Sequence, residues 1–264
     1  MTDDATPAGF AAEALRTGVD AVSYVEPIKH GLTNQSWLVY TGADSVVVRI
    51  SAADEHKLRI DRRSEALILT AVAAAGIGPP VLLCDPERRV LVTRYLGPTW
   101  SIEQARSDPE IVRLAQLLCR LHELGVPAGV ARVDLASTVD GYLRTLDERG
   151  ASSGLTVRSV RECAAAMAQQ LGRNALVRLC HNDVHHWNIV DGDGLRLLDW
   201  EYAGAGDPIF DLASACVYHR YDQEQREQLL RAYAPAGDAS EWHRLELACW
   251  LFDYVRDLWM AVRG

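Results

Sequence analysis

What this sequence lacks removes several classes of function at once. No apolar run approaches the roughly 20 residues that a membrane-spanning helix requires, so no span is expected. Positive charge is in deficit, with 27 Lys and Arg against 36 Asp and Glu and a formal net charge of −9. A nucleic-acid binder normally shows the opposite balance, with a basic patch or stripe. The six cysteines (Cys84, Cys119, Cys163, Cys180, Cys216, Cys249) lie far apart with no C-x-x-C pair. They read as buried, reduced thiols of a cytoplasmic protein without a redox role. Met1 to Gly9 is acidic and polar and does not have the profile of a signal peptide. What remains is ordinary for a soluble globular chain: 264 residues, 48% hydrophobic and 24% charged, enough for one or two domains with a sizeable core.

The stretch His181 to Glu201 reads HNDVHHWNIVDGDGLRLLDWE and carries the densest chemistry. Asp183 is followed five residues later by Asn188, and Asp199 ends the apolar run LRLLD. Phosphoryl transfer from ATP uses such a set: one carboxylate orients the acceptor hydroxyl and takes its proton, while an amide oxygen and a second carboxylate hold Mg2+. Asp191-Gly192-Asp193-Gly194 between two apolar runs predicts a hairpin, which puts Asn188 and Asp199 at the outer ends of adjacent antiparallel strands.

His181-Asn182-Asp183 with Asn188 matches the spacing H-R-D-x-x-x-x-N of the protein-kinase catalytic loop, and Asp199-Trp200-Glu201 stands where D-F-G would. With D-W-E-Y-A-G and the later D-P-x-x-D-L-A (Asp207 to Ala213), the chain resembles the aminoglycoside phosphotransferase and choline kinase-like superfamily. In motif it is most similar to bacterial choline kinases and thiamine kinases. The resemblance implies a two-lobed, protein-kinase-like α/β (α+β) fold. An N-terminal nucleotide-binding lobe, residues 1–96, would hold an antiparallel sheet with one helix. A mainly helical catalytic and substrate-binding lobe would occupy residues 97–264, with the linker near Thr93 to Pro98.

The same resemblance implies roles for single residues. Asp183 becomes the catalytic base, Asn188 and Asp199 the Mg2+ ligands, and Asp211 a structural residue that bonds the catalytic-loop backbone. No G-x-G-x-x-G loop is present, but a strand, the segment His30 to Ser36 and a second strand stand where phosphates would be covered. Backbone N–H groups of Leu32 to Asn34, with the Thr33 and Asn34 side chains, are the expected phosphate contacts. Arg49, in VVVRI, takes the place of the kinase lysine, and its planar guanidinium can bind phosphate oxygens in pairs. Glu65, in the first turn of the next helix, is its expected partner; a carboxylate favoured by the helix dipole is the rival reading.

The implied reaction is transfer of the γ-phosphate of ATP to a hydroxyl of a small, cationic acceptor, with choline or a related amino alcohol first, thiamine next and an aminoglycoside after that. Glu201, Trp250 and Tyr254 are the candidate acceptor contacts, because aromatic faces and carboxylates hold quaternary ammonium groups. Choline and thiamine kinases commonly carry an acid seven positions after the D-L-A aspartate, and here that position is Tyr218. Two other readings compete. His181, His185 and His186 with Asp183 and Asp199 could ligate the metal of a hydrolase, or the chain could be a non-catalytic binding module on the same fold. The oligomeric state is left open.

Overall fold

The computed structural model describes residues 6–29, 34–42, 44–52, 58–151, 154–173, 175–237 and 239–263. The chain forms two compact units, Met1–Pro98 with Val190–Glu201, and Thr99–Ile189 with Tyr202–Gly264.

The first unit is built on an antiparallel sheet. Its strands are β1 (Val22–Ile28), β2 (Asn34–Thr41), β3 (Ser45–Ser51), β4 (Val81–Asp85) and β5 (Val90–Arg94), in the order β1-β2-β3-β5-β4. Helix α1 (Pro7–Leu15) precedes the sheet and α2 (Arg62–Ala74) connects β3 to β4. Successive side chains of a strand face opposite ways. Val46 and Val48 of β3 therefore join Val39, Val90, Val92, Phe10 and Ala11 in one core. Arg49, one position out of phase with Val48, faces away from that core, and its guanidinium reaches Glu65 of α2.

Several boundaries have identifiable causes. Helix α1 starts at Pro7 because Thr6 caps it, accepting from the Gly9 N–H at 3.1 Å. Strand β2 begins at Asn34, which pairs with Ser51 of β3. Thr33, with His30, Gly31 and Leu32, lies outside the described residues.

The second unit is mainly helical: α3 (Ile102–Ala105), α4 (Asp108–Glu123), α5 (Leu135–Glu148), α6 (Arg158–Gly172), then, after the strands described below, α7 (Ile209–Tyr218), α8 (Gln223–Tyr233) and α9 (Ala239–Arg263). The N-cap of α4 is Ser107, and Asp108 lies in the first turn beside Pro109. Ile111, Leu114, Ala115, Leu118 and Leu121 form its buried stripe, as the 3.6-residue period predicts. Among the described residues no helix is long and apolar enough to cross a membrane.

Four short strands frame the motif region. β6 (Arg178–Cys180) pairs antiparallel with β9 (Gly204–Gly206), and β7 (Ile189–Gly192) pairs with β8 (Gly194–Leu197) around Asp193. The D-G-D-G signal is realised here: Gly194 takes φ +87°, and a Cβ on Gly192 would sit 2.5 Å from the Leu96 carbonyl oxygen.

Candidate active site

In the first unit, Arg49 and Arg62 share one oxygen of Glu65. Arg49 Nη2 and Arg62 Nη1 each lie 2.7 Å from Glu65 Oε2. Arg49 Nη1 is 2.8 Å from Asp199 Oδ1, and Arg62 Nη2 is 3.0 Å from Glu201 Oε2 and 2.8 Å from Asn34 Oδ1. Asn34 Nδ2 closes the set on Glu201 Oε2 at 2.7 Å. Charge alternates along this chain from Asp199 to Glu201. Burial works against the Glu65 anion, yet Arg49 and Arg62 hold its carboxyl below the ordinary range. Glu201 behaves differently: burial and the nearby Asp199 push it up to about 7, against the pull of Arg49 and Arg62.

Two polar atoms in this cluster, Arg49 Nε and Glu65 Oε1, are buried with no hydrogen-bond partner among the described residues. Buried polar groups are normally paired, so a cationic donor left open is the kind of group an anionic ligand completes. Asp199 adopts φ +57°, a left-handed conformation that non-glycine residues rarely take and that clusters at functional sites.

Arg62 was not singled out in the sequence. Its signal was the spacing to Glu65, three residues on the same helix, which places both on one face. Glu201, expected at the acceptor, instead has its Oε2 taken up by Arg62 and Asn34 and is only 6% exposed.

In the second unit, the Asp183 loop is held from α7. Asp211 accepts from the His181 N–H through Oδ2 at 2.8 Å and from the Asn182 N–H through Oδ1 at 2.6 Å. His122 Nε2 lies 2.9 Å from Asp211 Oδ2 and His122 Nδ1 2.8 Å from the Tyr233 hydroxyl. Burial disfavours the Asp211 anion, but the His122 bond lowers its pKa overall. A carboxylate only accepts, so His122 Nε2 is the donor in its bond to Asp211. Asn182 takes φ +65° between the two pinned amides and the base candidate.

Asn188 follows Asp183 through a short 3-10 turn, His186–Asn188. Its Nδ2 donates to the Asp183 carbonyl at 3.0 Å and to Asp183 Oδ2 at 3.1 Å. With its donors directed to Asp183, Asn188 has its amide oxygen to offer a hard cation. His185 Nε2 stands 3.5 Å from the same Asp183 oxygen.

The competing metal reading fails on geometry. Among the described residues, the side chains whose ligand atoms converge are His122, Cys180 and Asp211, not the His181, His185 and His186 set. His122 and Asp211 already bond each other, Tyr233 and the loop amides. The two aromatic residues expected at the acceptor lie on one helix of the second unit. Trp250 and Tyr254 do share a face of α9, but their rings stack on each other, 5.6 Å apart at 23°, and the Tyr254 hydroxyl donates to the Leu155 carbonyl at 2.7 Å.

Residues 25–247 match the phosphotransferase enzyme family. The chain belongs to that family. Among the relatives of this phosphotransferase-family chain, a LicA protein of Haemophilus influenzae is 27% identical over 221 residues, covering 82% of this chain and 64% of the relative. A thiamine kinase of Salmonella paratyphi B is 34% identical over 158 residues, 59% of this chain and 48% of that protein. The chain thus spans less than two thirds of the length of either. Solved structures agree on the fold. The choline kinase LicA from Streptococcus pneumoniae has a TM-score of 0.79 at 21% identity, covering 96% of this chain and 89% of that one. A choline/ethanolamine kinase family protein from Mesorhizobium loti has a TM-score of 0.76 at 28% identity, covering 91% and 79%.

Proposed function

We propose that this protein is an ATP-dependent small-molecule kinase that transfers the terminal phosphoryl group of ATP to a hydroxyl of a small acceptor. The observation that carries the reading is the Asp183 carboxylate bonded by the Asn188 amide in a loop pinned by Asp211. Asp183 orients the acceptor hydroxyl and takes its proton. Arg49, set by Glu65 and backed by Arg62, binds phosphate oxygens. Asn34, hydrogen-bonded to Arg62 and Glu201, stands at the start of β2 on the nucleotide side. Asn188 and Asp199 supply the oxygen donors that suit Mg2+, which neutralises phosphate charge when bound. Glu201 belongs with the nucleotide-side network rather than with the acceptor. The reaction is placed in the cytoplasm, where ATP is supplied and free thiols such as Cys216 and Cys249 stay reduced.

Choline or a related amino alcohol is the favoured acceptor. The Streptococcus and Mesorhizobium proteins carry choline kinase or choline/ethanolamine kinase names, and the net charge of −9 suits a cationic substrate. Thiamine is the second reading, favoured by the 34% identity to Salmonella thiamine kinase and by Asp183-Val184-His185, which resembles that family's loop. The test is Mg2+-dependent ATP consumption against choline, ethanolamine, thiamine, aminoglycosides and other hydroxylated metabolites. One acceptor should raise turnover well above an Asp183→Asn control, whose kcat should be about 10²- to 10⁴-fold lower with nucleotide binding retained. Equal activity in the control would remove Asp183 as base. A flat panel without ATP binding would remove the kinase reading.

A further inference from the structure

The segment from His181 to Val184 is irregular, so its amides find no partners in a ladder or a helix and take side chains instead. Asp211 accepts the His181 and Asn182 N–H groups, His181 Nδ1 accepts the Asp183 N–H at 3.3 Å, and Ser214 Oγ accepts the Val184 N–H at 2.7 Å. Ser214 and Val184 are both fully buried. Ser214 stands three residues after Asp211 on α7, so both meet the loop from one face of the helix. The Val184 N–H belongs to the same planar peptide unit as the Asp183 carbonyl. That carbonyl accepts from Asn188 Nδ2 at 3.0 Å and from the His185 N–H at 3.0 Å. The peptide is held at both ends, by α7 through its N–H and by Asn188 through its oxygen.

We infer that Ser214 is a positioning residue for Asp183 and Asn188 together: by holding the Val184 N–H it sets the plane of the Asp183–Val184 peptide, and through that plane the direction of the Asn188 amide. The same Asn188 Nδ2 bonds Asp183 Oδ2 at 3.1 Å, so one clamp aligns the carboxylate and the amide oxygen. A peptide free to turn would carry the Asp183 carbonyl away from Asn188. The carboxylate and the oxygen offered to Mg2+ would then lose their shared alignment. Phosphoryl transfer draws most of its catalysis from positioning, and groups that orient a metal ligand without touching the metal typically carry about tenfold or more of metal affinity or activity. The consequence for turnover rests on the kinase reading; the clamp itself does not.

The test is Ser214→Ala, which suits the helix and removes only the hydroxyl. kcat should fall about tenfold, and the Mg2+ concentration for half-maximal turnover should rise about tenfold, with the acceptor KM unchanged. Either of the first two values left unchanged would overturn the inference, and a lower thermal midpoint alone would make Ser214 a residue of the fold only. Two measurements need no turnover. In the unsubstituted protein the Val184 amide should exchange with deuterium as slowly as the amides of α7; exchange at the rate of an exposed loop would remove the clamp. In Ser214→Ala the Asn188 side-chain amide resonances should shift, because the carbonyl they bond has turned. Unmoved resonances would also overturn the inference. Absence of turnover in the unsubstituted protein would count against the kinase reading, and the exchange and the resonances would still decide the role of Ser214.

Discussion

Arg62 changes what the Arg49–Glu65 pair is. A single buried ion pair would leave Glu65 facing one cation and Glu201 with none of its own; Arg62 bridges the two carboxylates and also bonds Asn34. Losing one partner of a buried ionic set is costly because the remaining charge stays buried and uncompensated. Arg62→Met should therefore destabilise the protein by about 3–5 kcal/mol, read as a lower urea midpoint. A midpoint that does not move would mean that Arg49 and Asn34 hold Glu65 and Glu201 unaided. At this scale the sequence was uneven. Asp183, Asn188 and Asp199 stood out because a motif spacing is local and needs no coordinates. Arg62 was hidden because two arginines and a glutamate at the start of a helix look like ordinary dipole-friendly surface charge. For Trp250 and Tyr254 the spacing of four shows that the two rings share a face, and there they stack on each other.

Helix α7 is the element on which the Asp183 loop is assembled, and its three contacts differ in kind. Asp211 is fully buried and accepts two backbone amides and the His122 Nε2–H with two oxygens. Asp211→Asn keeps the shape but turns one acceptor into an NH2 that faces donors. Each buried donor left unpaired costs roughly 1–3 kcal/mol, so this variant should melt at a lower temperature and lose turnover while its unchanged Arg49–Glu65 network still binds nucleotide. Turnover at the level of the unsubstituted protein would show that Ser214 and the β6–β9 pairing suffice to place the loop. The elements themselves were readable where the signal is local: the D-G pairs gave the β7–β8 hairpin. Their ends were less so. Thr6 and Ser107 begin helices where the apolar pattern has not started, and Asn34 is drawn into β2 by pairing with Ser51, a partner no local pattern identifies. The sequence shows which segments are strands but not which neighbours complete them.

For the whole molecule, the response of stability to pH is set by buried groups whose ionisation differs between folded and unfolded chains. His219 is fully buried, neither ring nitrogen has a hydrogen-bond partner among the described residues, and burial together with His186 and His185 lowers its pKa to about 3. In the unfolded chain it titrates near the ordinary imidazole value of about 6.5. Between these values the unfolded state binds the extra proton, so stability falls as pH drops through that window. By pH 5 the loss from this one group is about 2 kcal/mol, from about 1.4 kcal/mol per pH unit over roughly 1.5 units. Glu201 acts with the opposite sign. Its folded pKa of about 7 lies above its ordinary value, so the folded state binds the extra proton, and this contribution grows as pH falls from about 7 and is lost as pH rises. The two are separable because His219 and Glu201 lie in different units, so replacing one leaves the Glu201 contribution common to both proteins. His219→Phe, which keeps an aromatic ring beside His186 and Tyr221, should lose less stability than the unsubstituted protein between pH 7 and pH 5 in urea titrations. Parallel losses in the two proteins would show that His219 takes up its proton in the folded state, and that the acid sensitivity of the fold resides in other groups.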